Sequence, residues 1–213
     1  MTLDPKVFKA YDVRGIVPDE LDADGAYRIA RGYVDAFEPR KIAVGHDMRV
    51  SSLELHEAAV RAVLDAGCDV DDIGLCGTEM LYYAVGEYGY EGGFTVTASH
   101  NPKQYNGMKM VRRGALPVGG ESGLDQIKEI ALAGEFREPS KRGDKAQRDV
   151  LSGFAERCLS LVDVNAIEPL TVVLDAANGM AGLMLAPILE RLPIKADRCH
   201  FEPAADERRG RCG

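Results

Sequence analysis

The sequence has little positive charge, no cysteine spacing typical of zinc sites and no long apolar run. Its 26 basic residues are outnumbered by 34 acidic ones, giving a net charge of -8, and no segment has the dense basic clustering of a nucleic-acid-binding surface. No apolar run approaches the roughly 20 residues that a membrane-spanning helix needs, and residues 1–6 lack the apolar core of a signal peptide. We therefore predict a cytoplasmic protein whose partners include neither nucleic acid nor a membrane.

The five cysteines are widely spaced and contain no C-x-x-C pair. Zinc sites use paired cysteines and histidines at short spacings, and no such pairing occurs here. The acidic run at residues 69–72 superficially resembles a metal-binding motif, but we interpret it as solvated charge. We expect reduced thiols at Cys68, Cys76, Cys158, Cys199 and Cys212.

Strand-like and helix-like segments alternate through the first half of the chain. Apolar and β-branched runs predict the strands, and apolar residues at helical spacing predict the helices between them. A β-α-β-α-β order predicts an α/β fold with a mixed, largely parallel sheet and helices on both faces. The predicted order is strand 41–45, helix 53–66, strand 70–75, helix 78–88 and strand 94–97.

Two of the predicted helices have signals at their starts. Asp22 or Asp24 can serve as the N-cap of a helix at residues 22–37. The segment from Ser51 to Glu54 resembles a capping box, in which a serine and a glutamate bond each other's backbone N–H groups. Both helices should therefore begin close to these positions.

The chain is predicted to contain one complete domain and part of another. Residues 138–149 lack an apolar pattern and are interpreted as an exposed linker between a first domain at residues 1–137 and an incomplete second α/β domain at residues 150–213. The second domain should contain helix 150–162, a buried strand at 170–175 and helix 180–191. Because no apolar pattern follows residue 202, we hypothesise that the chain is a truncation or frameshift product.

Residues 92–110 form the segment on which the functional prediction depends. The strand ends at a corner of small residues, and Pro102 disfavours helix at the residue before it, so the pattern predicts that Ser99 lies on a loop. Asn106-Gly107 is typical of a turn, and the apolar and basic alternation after it predicts a return strand that brings Lys109 back toward Ser99.

A serine at the end of a strand, beside an imidazole and near an ammonium, suits the transfer of a phosphoryl group. Cations offset the negative charge on the transferring oxygens, and positioning with electrostatics supplies most of such catalysis. From these residues alone, a polar loop with a chance serine is an equally good interpretation.

The motif Thr97-Ala98-Ser99-His100-Asn101-Pro102, followed by Asn106-Gly107-Met108-Lys109, resembles the phosphoserine loop of the α-D-phosphohexomutase family. The resemblance implies that Ser99 carries phosphate and contributes an oxygen to a metal ion, and that Lys109 stabilises charge. His100 is implied either in proton transfer or in orienting the loop.

Two further segments support the resemblance. Tyr11-Asp12-Val13-Arg14-Gly15 is similar to the family's N-terminal active-site segment, which implies that Arg14 contacts phosphate and that Tyr11 lies at the rim of the site. Gly45-His46-Asp47-Met48-Arg49 matches the family's Gly-x-Asp-x-Arg segment. Arg49 is therefore either a substrate-binding residue near the phosphoserine or a partner of Asp47 that holds the loop.

The family interconverts hexose 6-phosphates and hexose 1-phosphates through a phosphoserine, with hexose 1,6-bisphosphate as intermediate and activator and Mg²⁺ as cofactor. The resemblance covers only the N-terminal portion, because the family's magnesium loop and sugar-recognition segments have no counterpart in this sequence. We therefore expect a partial or inactive phosphotransferase fragment. One alternative is a non-catalytic fragment that binds sugar phosphates. The other is a serine hydrolase using Ser99 with His100, but this sequence lacks the G-x-S-x-G motif expected of such an enzyme.

Overall fold

The structure, a computed structural model, describes residues 3–204. Its elements are β1 (Val13–Ile16), α1 (Ala23–Phe37), β2 (Lys41–His46), α2 (Ser52–Asp65), β3 (Asp69–Leu75), α3 (Thr78–Glu87), β4 (Gly92–Val96), β5 (Tyr105–Arg112), β6 (Leu116–Pro117), α4 (Asp125–Ala133), β7 (Lys145–Gln147), α5 (Leu151–Ser160), β8 (Leu170–Asp175), α6 (Ala181–Leu189) and β9 (Ile194–Cys199).

A seven-stranded sheet forms the first part of the molecule. Its strand order is β1-β5-β4-β2-β3-β7, with the short β6 paired to β5. The four strands β4, β2, β3 and β7 run parallel, whereas β5 is antiparallel to both β1 and β4. The sheet is mixed and largely parallel, as the sequence predicts.

Helices cover both faces of this sheet. Phe94 of β4 packs against Tyr33 of α1, with ring centroids 5.6 Å apart, whereas the adjacent Gly93 lies against Leu81 and Val85 of α3. Because successive strand residues point to opposite faces, α1 and α3 lie on opposite sides of β4. The predicted α/β fold class is confirmed.

The two predicted helix starts differ in outcome. The Asp22 carboxylate accepts a hydrogen bond of 2.8 Å from the Gly25 N–H, which confirms it as the N-cap of α1. The capping box predicted at Ser51 is wrong, because its side chain forms no capping hydrogen bond. The Ser51 hydroxyl instead accepts a hydrogen bond from the side-chain amide of Asn106.

The interpretation of the acidic run as solvated charge is wrong for Asp71 and Asp72, which are buried within β3. Asp71 lies 2.8 Å from the Lys41 ammonium. On the opposite face of the strand, Asp72 lies 3.1 Å from His56 Nε2 and 2.8 Å from the Lys145 ammonium. The two carboxylates are buried because cations on neighbouring elements compensate their charge.

Asp72 gives the fold a predictable acid sensitivity. Burial by itself would raise the pKa of Asp72, but hydrogen bonds from His56 and Lys145 outweigh it and hold the pKa below its ordinary value. A carboxyl group with a lowered pKa in the folded state stabilises the protein above its unfolded pKa, near 3.9, and this stabilisation is lost as the pH falls through the folded pKa.

We therefore expect Asp72→Asn to flatten the loss of stability at acid pH, by on the order of 2 kcal/mol between pH 6 and pH 2. Urea unfolding at a series of pH values measures this difference. Asp19→Asn, which changes an exposed carboxylate, serves as the control. If the free energy of unfolding of Asp72→Asn fell as steeply at acid pH as that of the unmodified chain, the role of Asp72 in acid sensitivity would be contradicted.

The turn predicted at Asn106-Gly107 is also wrong, because both residues lie within β5. The loop that leaves β4 ends before Tyr105. The Asn106 side chain is buried and donates to the hydroxyls of Ser51 and Ser52 at 2.9 Å each. These contacts to the start of α2 hold the pair in an extended strand.

The second part of the chain contains α5, β8, α6 and β9, with β8 and β9 in a separate parallel pair. The strand predicted to be buried at residues 170–175 is largely exposed, and Val173 is 71% accessible. Within residues 3–204, β9 is the only strand partner of β8, so little of the surface of β8 is covered.

The segment predicted as a linker is exposed but contributes β7 to the large sheet. The domain boundary stays a prediction.

The cysteine prediction is confirmed in part. Cys68, Cys76 and Cys158 are free thiols, whereas Cys199 is not a free thiol, so the prediction of a reduced side chain is wrong there. Cys212 and most of the C-terminal segment without apolar pattern lie outside the described residues.

None of the helices within residues 3–204 is long and apolar enough to cross a lipid bilayer.

Candidate active site

Ser99 lies on the loop that leaves the carboxyl end of β4, and its side chain is exposed. Its backbone has φ 52°, in the left-handed region, which costs roughly 1–2 kcal/mol for a residue with a Cβ atom. Two contacts hold this conformation: the Ser99 N–H donates to Thr97 Oγ1 at 2.9 Å, and the Ser99 carbonyl accepts from Arg49 Nη2 at 2.8 Å. The exposed serine hydroxyl is therefore carried by a backbone that two hydrogen bonds hold in place.

Arg49 binds the loop through its carbonyl groups. Besides Ser99, its guanidinium donates to the carbonyls of Asn101, Pro102 and Tyr105, at 2.6, 3.0 and 3.0 Å. Its side chain is 9% exposed and its Nε lies 3.3 Å from Asp47. The geometry matches the second of the two predicted roles, holding the loop, while a substrate contact of Arg49 stays a prediction.

We expect Arg49→Lys to lower the free energy of unfolding by about 2 kcal/mol, because an ammonium cannot replace a planar set of donors to four carbonyls. Arg40→Lys is a matched control, since Arg40 is 88% exposed and pairs with Glu91 at the surface, where ion pairs contribute under about 1 kcal/mol. Urea unfolding measures both variants. Equal losses in the two variants would contradict the role of Arg49.

Asp47 lies at the centre of a buried hydrogen-bond network beneath the loop. Its carboxylate accepts from the hydroxyl of Thr97 at 2.7 Å and from the hydroxyl of Ser52 at 2.5 Å. Asn106 in turn donates to Ser52. This network was not predicted from sequence, because Ser52 lies 45 or more positions from Thr97 and Asn106 and such distant residues carry no local signal that they will meet.

Arg14 reaches the same loop from β1. The strand pairs antiparallel with β5, with Arg14 opposite Gly107, and the Arg14 guanidinium donates to the Ala98 carbonyl at 2.9 Å. Its other terminal nitrogen lies 2.5 Å from Asp12. The predicted phosphate-binding arginine therefore lies next to the residue that precedes Ser99.

His100 and Ser99 are adjacent in sequence and their side chains also meet. His100 Nδ1 lies 3.3 Å from Ser99 Oγ, and both residues are exposed. This distance allows a proton to pass between the two atoms, and it equally allows the imidazole to orient the hydroxyl.

Lys109 and Tyr11 line one cavity, of about 960 Å³, together with Lys9, Tyr82 and Glu121. Lys109 lies opposite Thr95 in the β4–β5 ladder, and no ion pair of Lys109 occurs within the described part of the chain. Tyr11 is 78% exposed, and its role at the rim of the site stays a prediction.

Ser99 lines a second cavity, of about 450 Å³, with Thr97 and with residues of α3, α5 and α6. The lining from α6 is apolar and includes Met184 and Ile188. The candidate site therefore lies where the first part of the chain meets the second.

The buried thiol of Cys76 is not a rival nucleophile. Burial raises the pKa of the Cys76 thiol to about 12, although a hydrogen bond with Thr95 opposes the shift. The sulfur lies 3.5 Å from Thr95 Oγ1 in the interior of the sheet. It stays protonated at neutral pH and acts as a small core residue.

The described residues do not by themselves fit the Mg²⁺ that the family resemblance implies. A hard divalent cation needs several oxygen ligands, usually including carboxylates. Among residues 3–204 no group of three or more His, Cys, Asp or Glu side chains is arranged to hold a metal ion. Ser99 could supply one oxygen only.

Comparisons with known proteins relate this chain to one family. The family model for phosphoglucomutase/phosphomannomutase, alpha/beta/alpha domain I, matches residues 5–138. A phosphomannomutase of Escherichia coli is 42% identical over 204 residues, covering 92% of this chain and 45% of the relative. A shorter phosphomannomutase of Klebsiella pneumoniae is 48% identical over 151 residues, covering 70% of this chain and 96% of the relative.

Solved structures of the same family also resemble this chain. A phosphoglucomutase/phosphomannomutase family protein of Burkholderia thailandensis has a TM-score of 0.85 and 30% sequence identity, covering 97% of this chain and 46% of the other. This chain spans about half the length of most of the relatives that it matches. From the motif, the fold and these similarities together, the chain belongs to the phosphoglucomutase/phosphomannomutase family.

Proposed function

We propose that this chain carries the phosphoserine half of a hexose phosphate mutase, with Ser99 as the residue that accepts and returns a phosphoryl group. The observation that carries the proposal is the presentation of Ser99: an exposed hydroxyl on a backbone whose N–H and carbonyl are both fixed by side chains. Arg14 and His100 lie beside it. The guanidinium of Arg14 is a preorganised positive group that suits the charge developing on phosphoryl oxygens.

In the proposed uptake step, Ser99 Oγ attacks a phosphorus atom of a hexose 1,6-bisphosphate. The new Oγ–P bond forms as the sugar O–P bond breaks, and the serine proton passes to His100 Nδ1, which must carry a free lone pair. The departing sugar oxygen takes a proton from solvent and leaves as a hexose monophosphate. Arg14 offsets the negative charge of the transferring group, and the reverse step delivers phosphate to the other hydroxyl of the sugar. The family resemblance implies the same role for Lys109, which lines the other of the two cavities.

The substrate of the proposed reaction is a hexose phosphate, and the names of the curated relatives favour mannose phosphate. The magnesium ion of the family resemblance would offset the charge of the phosphoserine, but no step above passes through it, because the described residues do not assemble its ligands. Cytoplasmic location remains part of the proposal.

A second candidate is a non-catalytic fragment that binds sugar phosphates. It is favoured by one fact: the chain spans 45% of its Escherichia coli relative. Such a fragment would bind hexose phosphates without moving a phosphoryl group. The two candidates therefore differ in a covalent product.

The test is incubation of the purified chain with hexose 1,6-bisphosphate labelled with ³²P, with the protein-bound label counted after denaturation. The mutase proposal predicts acid-stable label that approaches one phosphate per chain. Binding of hexose phosphate without covalent label would favour the second candidate. An isomerisation assay on the same chain, beside a chain extended with the relatives' remaining half, then asks whether the complete reaction needs the additional segments.

A further inference from the structure

The backbone N–H and carbonyl of Ser99 each bond to a side chain, and both of these side chains contact the Asp47 carboxylate. Thr97, which accepts from the Ser99 N–H, donates its own proton to Asp47 Oδ2 at 2.7 Å. Arg49, which donates to the Ser99 carbonyl, has its Nε 3.3 Å from the same oxygen. We propose that Asp47 and Thr97 are positioning residues for the phosphoryl transfer, an inference that rests on the function proposed above.

The direction of the hydrogen bonds explains why a carboxylate is needed at position 47. A hydroxyl has one proton, and an ionised carboxylate can only accept. The Thr97 proton therefore points to Asp47, which leaves a hydroxyl lone pair for the Ser99 N–H. The NH2 group of an asparagine in the place of Asp47 Oδ2 would donate to the Thr97 hydroxyl, so the Thr97 proton could no longer point to residue 47.

The carboxylate is itself held in one orientation. Its second oxygen accepts from the Ser52 hydroxyl and, at 3.0 Å, from the backbone N–H of Arg49. Asp47 is 5% exposed and Ser52 is fully buried, so water offers no alternative partners. The network joins the end of β2, the start of α2 and the end of β4 at one point.

This arrangement matters because Ser99 adopts a backbone conformation that it would not hold alone. With φ at 52°, the residue is strained, and strain persists at functional sites only where the surroundings over-determine it. If the Thr97 contact is lost, Ser99 can relax toward negative φ and swing its hydroxyl away from His100. A misplacement of about 1 Å can lower a rate by about a hundredfold.

Three variants of the full chain test the proposal. Thr97→Val keeps the shape but removes the hydroxyl, Thr97→Ser keeps a hydroxyl at the same position, and Asp47→Asn replaces one of the two accepting carboxylate oxygens with a donating NH2 group. Thr95→Val is the matched control, because Thr95 is also buried, lies two residues away on β4, and its hydroxyl contacts Cys76 instead of the loop. Two quantities are measured for each: the hydrogen-exchange rate of the Ser99 amide by NMR, and the initial rate of phosphate uptake from hexose 1,6-bisphosphate, with the melting temperature recorded alongside.

We expect Thr97→Val and Asp47→Asn to raise the Ser99 exchange rate and lower the uptake rate, each about tenfold or more. Thr97→Ser should recover both, and Thr95→Val should lower the melting temperature without changing either. Unchanged exchange and uptake in Thr97→Val would overturn the proposal, whether or not Asp47→Asn folds. If the unmodified chain takes up no phosphate, the proposed function fails, and the Ser99 exchange rates then decide by themselves whether Asp47 and Thr97 position the loop.

Discussion

Replacing Ser99 by alanine is expected to reduce covalent phosphate uptake from hexose 1,6-bisphosphate to background while leaving the fold intact. The hydroxyl is the only group removed, and the other hydroxyl at this end of β4, that of Thr97, is buried and donates to Asp47. Because the side chain is exposed, the free energy of unfolding should change by less than about 0.5 kcal/mol. The measurement is protein-bound ³²P, with urea unfolding recorded on the same preparation.

Ser160→Ala is the control for this experiment. Ser160 is also exposed, and its hydroxyl donates to the Arg157 carbonyl at the end of α5, away from the candidate site. It should take up phosphate at the rate of the unmodified chain. Label retained in Ser99→Ala would show that another residue accepts the phosphate, and the assignment of Ser99 would be wrong.

Gly107→Ala is expected to have the largest effect on stability. An ideal Cβ at this position would lie 1.8 Å from the Val13 carbonyl oxygen, 2.8 Å from the Val13 carbonyl carbon and 3.1 Å from Arg14 Cα. These are backbone atoms of the paired strand β1, so no side chain can turn aside. We expect the free energy of unfolding to fall by roughly 3 kcal/mol as β1 is pushed from β5.

The same substitution should also impair phosphate uptake, because Arg14 lies opposite Gly107 in the ladder and reaches the loop from β1. Gly86→Ala is the matched control: Gly86 lies within α3, and an added Cβ would meet no atom within 4 Å. Alanine there should raise stability by about 0.5–1 kcal/mol. If Gly107→Ala were as stable as the unmodified chain, the described register of β1 on β5 would be wrong.

The parts of the fold that could be predicted from sequence are those set by local pattern. The alternation of apolar runs gave the strands and helices of the sheet, and Asp22 caps α1 as its position indicates. The exposed position of Ser99 also follows from local residues, since small residues and Pro102 end the strand. Local rules succeed there because no distant residue opposes them.

The failures arise where distant residues decide. Asn106-Gly107 is typical of a turn, but contacts from Asn106 to Ser52, 54 positions earlier, hold it in a strand. Asp72 is buried because Lys145, far along the chain, supplies a cation. Ion pairs and hydrogen bonds between distant segments leave no periodic trace in the sequence.

The candidate site shows the same division. The motif itself points to Ser99 and its neighbour His100, because these candidate residues are contiguous in sequence. The contacts of Arg49 with the carbonyls of the loop span about 50 positions, and the sequence alone leaves two roles open for it. The part of the site that orients the serine is therefore the part that sequence could not supply.

The most direct test of the central claim is localisation of the phosphate by tandem mass spectrometry, after the unmodified chain has been incubated with hexose 1,6-bisphosphate and digested. The account predicts a single phosphorylated residue, Ser99, in the peptide that contains Thr97 and His100. An unmodified Ser99, or phosphate found instead on Ser51, Ser52 or Ser122, would contradict it.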